Sequence, residues 1–412
     1  MKRQVLVLGA GMIGTCTALQ LALRGHAVTL VDRREPGRET SYGNAGLIQR
    51  EAVEPYPFPR DATTLARAAF KRGVDVNYHL GALPGVAGPL ARYFANSQPA
   101  RHAVIAQAHA RLIEHCTAEH APLIERAGAS DLVRHDGFLF VYREAASYVQ
   151  GVERARALAQ SHGLQHAELD PDALAAAEPA LRRRLAGAVH WKDSWAVSNP
   201  GELVSRYAAL FTREGGHIVR GDAGSLRASA SGWQVDTEQG AIDAEHAVVA
   251  LGPWSDPLVR SLGYRYPLFV KRGYHRHYRG GEAPHLAMLD ADRGLVIVPM
   301  QQGVRITTGA EFARLDAPPT PVQLERAHAL ASELVDLPEP VEDTPWLGAR
   351  PCTADMLPVM GAAPRHRGLW FNFGHAHQGF TLGPVCGRLL ADLIEGATPV
   401  VDPLPYAPTR FG

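Results

Sequence analysis

Gly9-Ala10-Gly11-Met12-Ile13-Gly14 constrains this chain more than any other stretch, because of what flanks it. Val5, Leu6, Val7 and Leu8 form an unbroken apolar run, which predicts a strand buried on both faces of a parallel sheet. From Ile13 to Leu23 the apolar residues fit a helix that Arg24-Gly25 stops. Residues 27–31 then predict a second buried strand with Asp32 at its end. In such a βαβ unit Gly9 permits the tight turn, Gly11 lets a pyrophosphate approach the backbone, and Gly14 lets helix and strand pack closely. Asp32, 18 residues beyond Gly14, is placed to accept hydrogen bonds from a ribose 2′-hydroxyl. The unit predicts dinucleotide binding, with Met12 and Ile13 beside the three glycines. An acid at position 32, where an arginine would meet a 2′-phosphate, argues against NADP.

The remaining composition narrows the function classes. At 412 residues the chain allows two or three domains. Its 42 Lys and Arg balance 42 Asp and Glu, so non-specific nucleic-acid binding is not expected. Cys16, Cys116, Cys352 and Cys386 are widely spaced, with no CxxC pair to suggest a disulfide framework or zinc ribbon, and the chain reads as cytoplasmic. No apolar run reaches the roughly 18 residues needed to span a bilayer. The 40 glycines and 30 prolines are scattered, as turns are, rather than clustered.

Further along, residues 101–127 carry apolar side chains at amphipathic-helix spacing. Strands are predicted at 137–142, 217–220, 232–237, 247–251, 268–278, 295–300, 305–308 and 369–372. Helices are predicted at 145–162, 201–214, 322–335 and 384–394, the last opening at Pro384 as its first helical residue.

Thr40-Ser41-Tyr42-Gly43-Asn44-Ala45-Gly46 follows the second strand after a short polar linker. Together with the first 32 residues it resembles the FAD-dependent D-amino acid oxidase and dehydrogenase superfamily, which includes glycine oxidase and sarcosine oxidase, and is most like the D-amino acid dehydrogenase branch. Gly348-Ala349-Arg350-Pro351-Cys352-Thr353-Ala354-Asp355 is similar to that family's GxRPxTxD segment, and Leu357-Pro358-Val359-Met360-Gly361 to its LPxxG. Gly374-His375-Ala376-His377-Gln378-Gly379-Phe380-Thr381 looks like its glycine-rich flavin loop, and residues 248–255 like its strand ending in GxWS. The likeness is weakest over about residues 50–185.

The resemblance implies non-covalent FAD and an α/β fold: a Rossmann-like FAD-binding domain on a parallel sheet, with a substrate domain on a mixed or antiparallel sheet. The first is expected from 1–60, 188–258 and 346–412, the second from 61–187 and 259–345. Beyond the first loop, the implied cofactor contacts are Asp32, Arg33, Thr40, Ser41, Asn44, Ala45, Gly46, Leu47, Gly252, Trp254, Gly374, His375, Gln378, Gly379, Phe380 and Thr381. Gly43, Gly46, Gly374 and Gly379 are expected to let the backbone meet the flavin. A helix N-terminus near Gly379 suits the negative charge that develops on reduced flavin.

Arg350 is the candidate substrate anchor, since an α-carboxylate needs a planar, always-charged fork. Tyr274 is a second candidate contact and Arg272 an alternative. Strand alternation puts Arg272 and Tyr274 on one face and His275 and His277 on the other. The HxH pairs His275/His277 and His375/His377 have no carboxylate at metal-ligand spacing, so no metal site is expected. Cys116 and His120, one helical turn apart, read as core and surface. Gly348 stands where covalent members carry cysteine, and Cys352 is a poorer attachment point. Gly221-Asp222-Ala223 matches part of a flavin hydroxylase fingerprint but sits in mid-chain, and reads as a decoy.

The implied reaction is hydride transfer from Cα of a D-amino acid, including cyclic ones such as D-proline or a hydroxyproline, to flavin N5, as in amino acid catabolism. Two alternatives stand beside it: a glycine- or sarcosine-type amine oxidase, and a flavoprotein whose FAD is structural. The electron acceptor is open between oxygen, a quinone and another carrier, and a peripheral membrane contact needs no spanning helix.

Overall fold

Val5, Leu6, Val7 and Leu8 are fully buried because the strand Gln4–Leu8 lies inside an eight-stranded sheet, covered on both faces. The structure, a computed structural model, describes residues 2–70, 73, 74 and 76–412. Five neighbouring strands run parallel: His217–Ser229, Ala27–Asp32, Gln4–Leu8, His246–Val249 and Leu369–Phe373. Antiparallel strands extend both edges, Gly232–Thr237 and Gly240–Ala244 at one and Val359–Ala362 at the other. The helices Met12–Leu23 and Gly379–Glu395 pack side by side. A Cβ on Gly387 would lie 2.8 Å from the Cys16 backbone, so the two helices meet at backbone distance.

The second sheet has eleven strands and is mixed, with most of its pairs antiparallel. Its longest strand, Leu268–Arg279, pairs with Gly303–Thr307, Ala310–Phe312, Glu339–Pro340 and Trp346–Thr353. Gly187–Trp191 and Trp346–Thr353 both belong to this second sheet, so the chain re-enters the first sheet only after Trp191, leaves it after Val249 and returns to it after Thr353, later than the expected boundaries at 188 and 346.

Two predicted helices differ. The 101–127 segment is two helices, Pro99–Ile113 and Cys116–Arg126, joined where the His115 N–H bonds to the Leu112 carbonyl three residues back. Apolar spacing continues through the join, and neither Gly nor Pro marks it. The C-terminal helix begins at Gly379, which puts Pro384 in its interior. Proline there removes the donor for the Phe380 carbonyl. His120 replaces it, with Nε2 3.1 Å from the Phe380 oxygen and Nδ1 3.0 Å from the Tyr207 hydroxyl. His120 is therefore fully buried beside Cys116, not on the surface.

All four cysteines are buried thiols. Among the described residues no helix is long and apolar enough to cross a membrane.

Candidate active site

A cavity of about 790 Å³ is lined by residues of both sheets, from the first glycine loop to the strand Leu268–Arg279. At the loop end Gly9 has φ +104°, a conformation glycine adopts without penalty. A Cβ on Gly14 would lie 1.8 Å from the Gly9 oxygen, so that residue serves helix packing and does not line the cavity. Gly11, Met12 and Ile13 do line it. Ser41 Oγ accepts from the Met12 N–H at 2.9 Å. Asp32 lines the cavity while its two oxygens accept the Ala10 N–H at 2.6 Å and the Arg34 N–H at 2.9 Å, so the carboxylate also shapes the loop. The Arg33 guanidinium lies 4.5 Å over the Trp254 ring, beside Gly252. Gly221, Asp222 and Ala223 line this end too: the stretch read as a decoy belongs to the cavity wall, reached by a strand that runs on to Ser229.

In the middle, Thr40, Asn44, Ala45 and Leu47 line the cavity. Thr40 Oγ1 donates to the Ala349 carbonyl at 2.9 Å, and Asn44 Oδ1 accepts the Gly46 N–H at 2.8 Å. Gly46 and Gly374 lie outside the lining; a Cβ on either would meet the Val197 oxygen at 2.2 Å or Thr353 Cγ2 at 2.9 Å. Their glycines answer to packing. Gly43 lines the cavity, yet a Cβ there or on Gly348 would fall 1.8 Å from the Trp346 ring, which stacks on His275. Gln378 and Thr381 bond to Gln49, which lines the cavity while they do not.

His375, Gly379 and Phe380 line the wall at the start of the C-terminal helix. His375 Nε2 is buried without a partner, and burial pushes that imidazole's pKa down to about 3. Ala376, between them, has φ +49°, a strained value for a residue with a side chain. An unpaired imidazole nitrogen, two helix N-termini and a glycine-floored channel fit a flavin dinucleotide.

At the far end, Arg350 lines the cavity and donates to the carbonyls of Gly309 at 2.9 Å and Thr308 at 3.3 Å. Among the described residues no carboxylate pairs with it. Burial holds its pKa below arginine's ordinary value. Arg272 is different: it is almost fully buried, makes hydrogen bonds to Glu311 and to the carbonyls of Arg314, Ala317 and Pro318, and does not line the cavity. Its five donors are spent on structure, which removes it as a substrate contact. Tyr274 reaches the cavity wall, but its hydroxyl donates to Glu311 at 3.0 Å and accepts the Thr320 N–H at 2.6 Å.

On the other face, His275, His277 and Glu342 bring ligand atoms within 4.8 Å, supplying the carboxylate that sequence spacing lacked. Buried Arg305 donates to His277 Nε2 at 3.0 Å, which occupies that ligand atom and places a positive charge beside the group. Sequence reasoning gave no substrate-site role to Lys271, Tyr56, Tyr93 or His377, which line the cavity's end with Arg350. Alternation along 268–278 was the available signal for Lys271 alone.

Residues 4–393 match the family described as FAD dependent oxidoreductase (DAO). The chain belongs to that family. FAD is its cofactor. Among relatives of this FAD-dependent oxidoreductase, a D-amino-acid oxidase of Bradyrhizobium diazoefficiens is 31% identical, with 99% of each chain covered. A glycine oxidase of Pseudomonas aeruginosa is 28% identical over 99% of each. The fold is similar to that of glycine oxidase from Geobacillus kaustophilus, with a TM-score of 0.72, 23% identity and 99% of each chain covered.

Proposed function

We propose that this oxidoreductase oxidises an α-amino acid at Cα, D-configured as in its relatives' names, to the imino acid, with FAD held non-covalently. The observation that carries the reading is Arg350: a cavity-lining guanidinium whose hydrogen-bond partners, among the described residues, are backbone carbonyls alone. FAD, when bound, supplies the two-electron acceptor for the Cα hydride. Arg350 clamps the α-carboxylate through its planar fork. Gly379 and Phe380 line the cavity as the first residues of the C-terminal helix, whose positive end favours negative charge there. His377 stays neutral, its pKa driven well below the ordinary value by burial and by the charges of Lys271 and Arg350. With the carboxylate fixed, the substrate's amine lone pair drives the oxidation and orientation replaces a side-chain base. Cys352 is fully buried and off the cavity lining, which supports a non-covalent cofactor.

The test is anaerobic mixing of the holoenzyme with D-alanine, D-aspartate, D-glutamate, D-proline, hydroxyprolines, glycine and sarcosine while the flavin absorbance is followed. Bleaching by D-amino acids supports the proposal. Bleaching by glycine or sarcosine alone moves it to an amine oxidase, and no bleaching at all leaves a structural FAD.

A further inference from the structure

Lys271 and Arg350 are direct cross-strand partners in the pairing of Leu268–Arg279 with Trp346–Thr353, and both line the cavity. Like charges facing each other across a sheet repel. Lys271 is only 6% exposed, and among the described residues no carboxylate pairs with either cation. Among the described residues its one side-chain hydrogen bond is to the Tyr93 hydroxyl, at 3.3 Å, and that hydroxyl itself donates to the Tyr56 carbonyl at 2.6 Å. An ammonium carries three donors, so two are unused. Burying such a group without an anion is costly.

The two head groups lean apart. A Cβ on Gly273 would lie 2.7 Å from Arg350 Nη1, which places the guanidinium over position 273. Lys271 Nζ instead lies 4.5 Å from the Tyr93 ring centre and 5.6 Å from that of Phe269. Positions 269 and 273 are roughly 13 Å apart along a strand. The two cations therefore diverge along one cavity wall, and the one at Lys271 stands in an apolar setting that includes Phe58, Tyr93, Phe269 and Phe312. If the lysine served packing alone, a methionine would fill that setting without the cost of a buried charge.

We propose that Lys271 receives a second carboxylate, on the substrate's side chain, while Arg350 holds the α-carboxylate, so that the preferred substrates are dicarboxylic amino acids of the aspartate and glutamate class. This rests on the amino-acid reading above and names the substrate class within it. In a desolvated pocket a paired carboxylate gains strongly, and a neutral side chain leaves the ammonium unpaired, the situation that yields discrimination.

The holoenzyme is assayed by flavin reduction with D-aspartate and D-glutamate against D-asparagine and D-glutamine. Binding of two non-reacting acids, succinate and butyrate, is followed in parallel by perturbation of the flavin spectrum. The expected result is a kcat/KM roughly 100-fold higher for each acid than for its amide, and tighter binding of succinate than of butyrate. Lys271→Met removes both preferences, acting through KM. Equal rates for acid and amide, equal binding of succinate and butyrate, or a preference that survives Lys271→Met overturns the proposal. Should that variant not fold, the wild-type comparisons decide. Lys271-dependent succinate binding without flavin reduction by any amino acid sinks the amino-acid reading and leaves the dicarboxylate subsite standing.

Discussion

Nε2 of His120 stands 3.1 Å from the Phe380 carbonyl oxygen, the carbonyl that Pro384 leaves without a helical donor. A carbonyl only accepts, so Nε2 carries the proton and Nδ1 accepts from the Tyr207 hydroxyl. The helix that opens onto the cavity is thus completed by a side chain 260 residues away.

That histidine is neutral in the folded protein, with burial pushing its pKa down to about 4, while the unfolded chain takes up the proton near the ordinary value of 6.5. A depressed folded pKa gives a contribution that is whole above pH 6.5 and is lost as pH falls toward 4. His120→Gln keeps an N–H donor and removes the titration. Urea midpoints between pH 7 and 4 should show wild type losing about 3 kcal/mol more than the variant. Parallel acid limbs would count against the assignment.

Arg272 and Glu311 form a buried ion pair at 2.5 Å. Glu311→Ala leaves the guanidinium unpaired in the interior and should cost about 3–5 kcal/mol of stability. Because Glu311 also holds the hydroxyl of cavity-lining Tyr274, the kinetic comparison is made with Arg272→Met, whose constants per bound flavin should move less than about twofold in whatever folds, since Arg272 does not line the cavity. A selective loss of kcat with the melting temperature unchanged would restore Arg272 to the site.

Two glycines three residues apart separate packing from binding. Gly14→Ala puts a methyl 1.8 Å from the Gly9 oxygen, and the expected outcome is a protein that does not fold around its first strand. Gly11→Ala meets nothing nearer than Ser41 Oγ at 3.4 Å. Its apoprotein should melt like wild type while FAD affinity, measured by flavin fluorescence quenching, falls at least about tenfold.

Arg350→Lys keeps the charge and loses the fork. Flavin content should be retained and kcat/KM for amino acids should fall about 100-fold. Unchanged kcat/KM would remove Arg350 from substrate binding.

The dinucleotide end was legible because its determinants are neighbours in the chain. An apolar run, three glycines at fixed spacing and a following acid specify strand, turn and helix through local sterics and periodicity. The strand 268–278 was legible in the same way, down to its alternating faces. Which face met the cavity was not. Glu311, Arg314, Ala317 and Pro318 arrive from later in the chain to claim Arg272, while Tyr274 from the same face and Lys271 from the opposite one line the cavity.

Glycines 43, 46 and 374 show the same division. Their type suggested contact with a cofactor, but Trp346, Val197 and Thr353, each remote in sequence, are what require a missing side chain there. Pro384 is a further case: proline favours a helix start, and only the donor from His120 makes an interior position tolerable. By itself the sequence determined the cofactor-binding unit and the family and singled out Arg350 as the anchor proposed above, all through short contiguous motifs. Tertiary structure alone decided which cations are neutralised, since pairing a buried charge depends on a partner that the fold, and not the chain order, brings within reach.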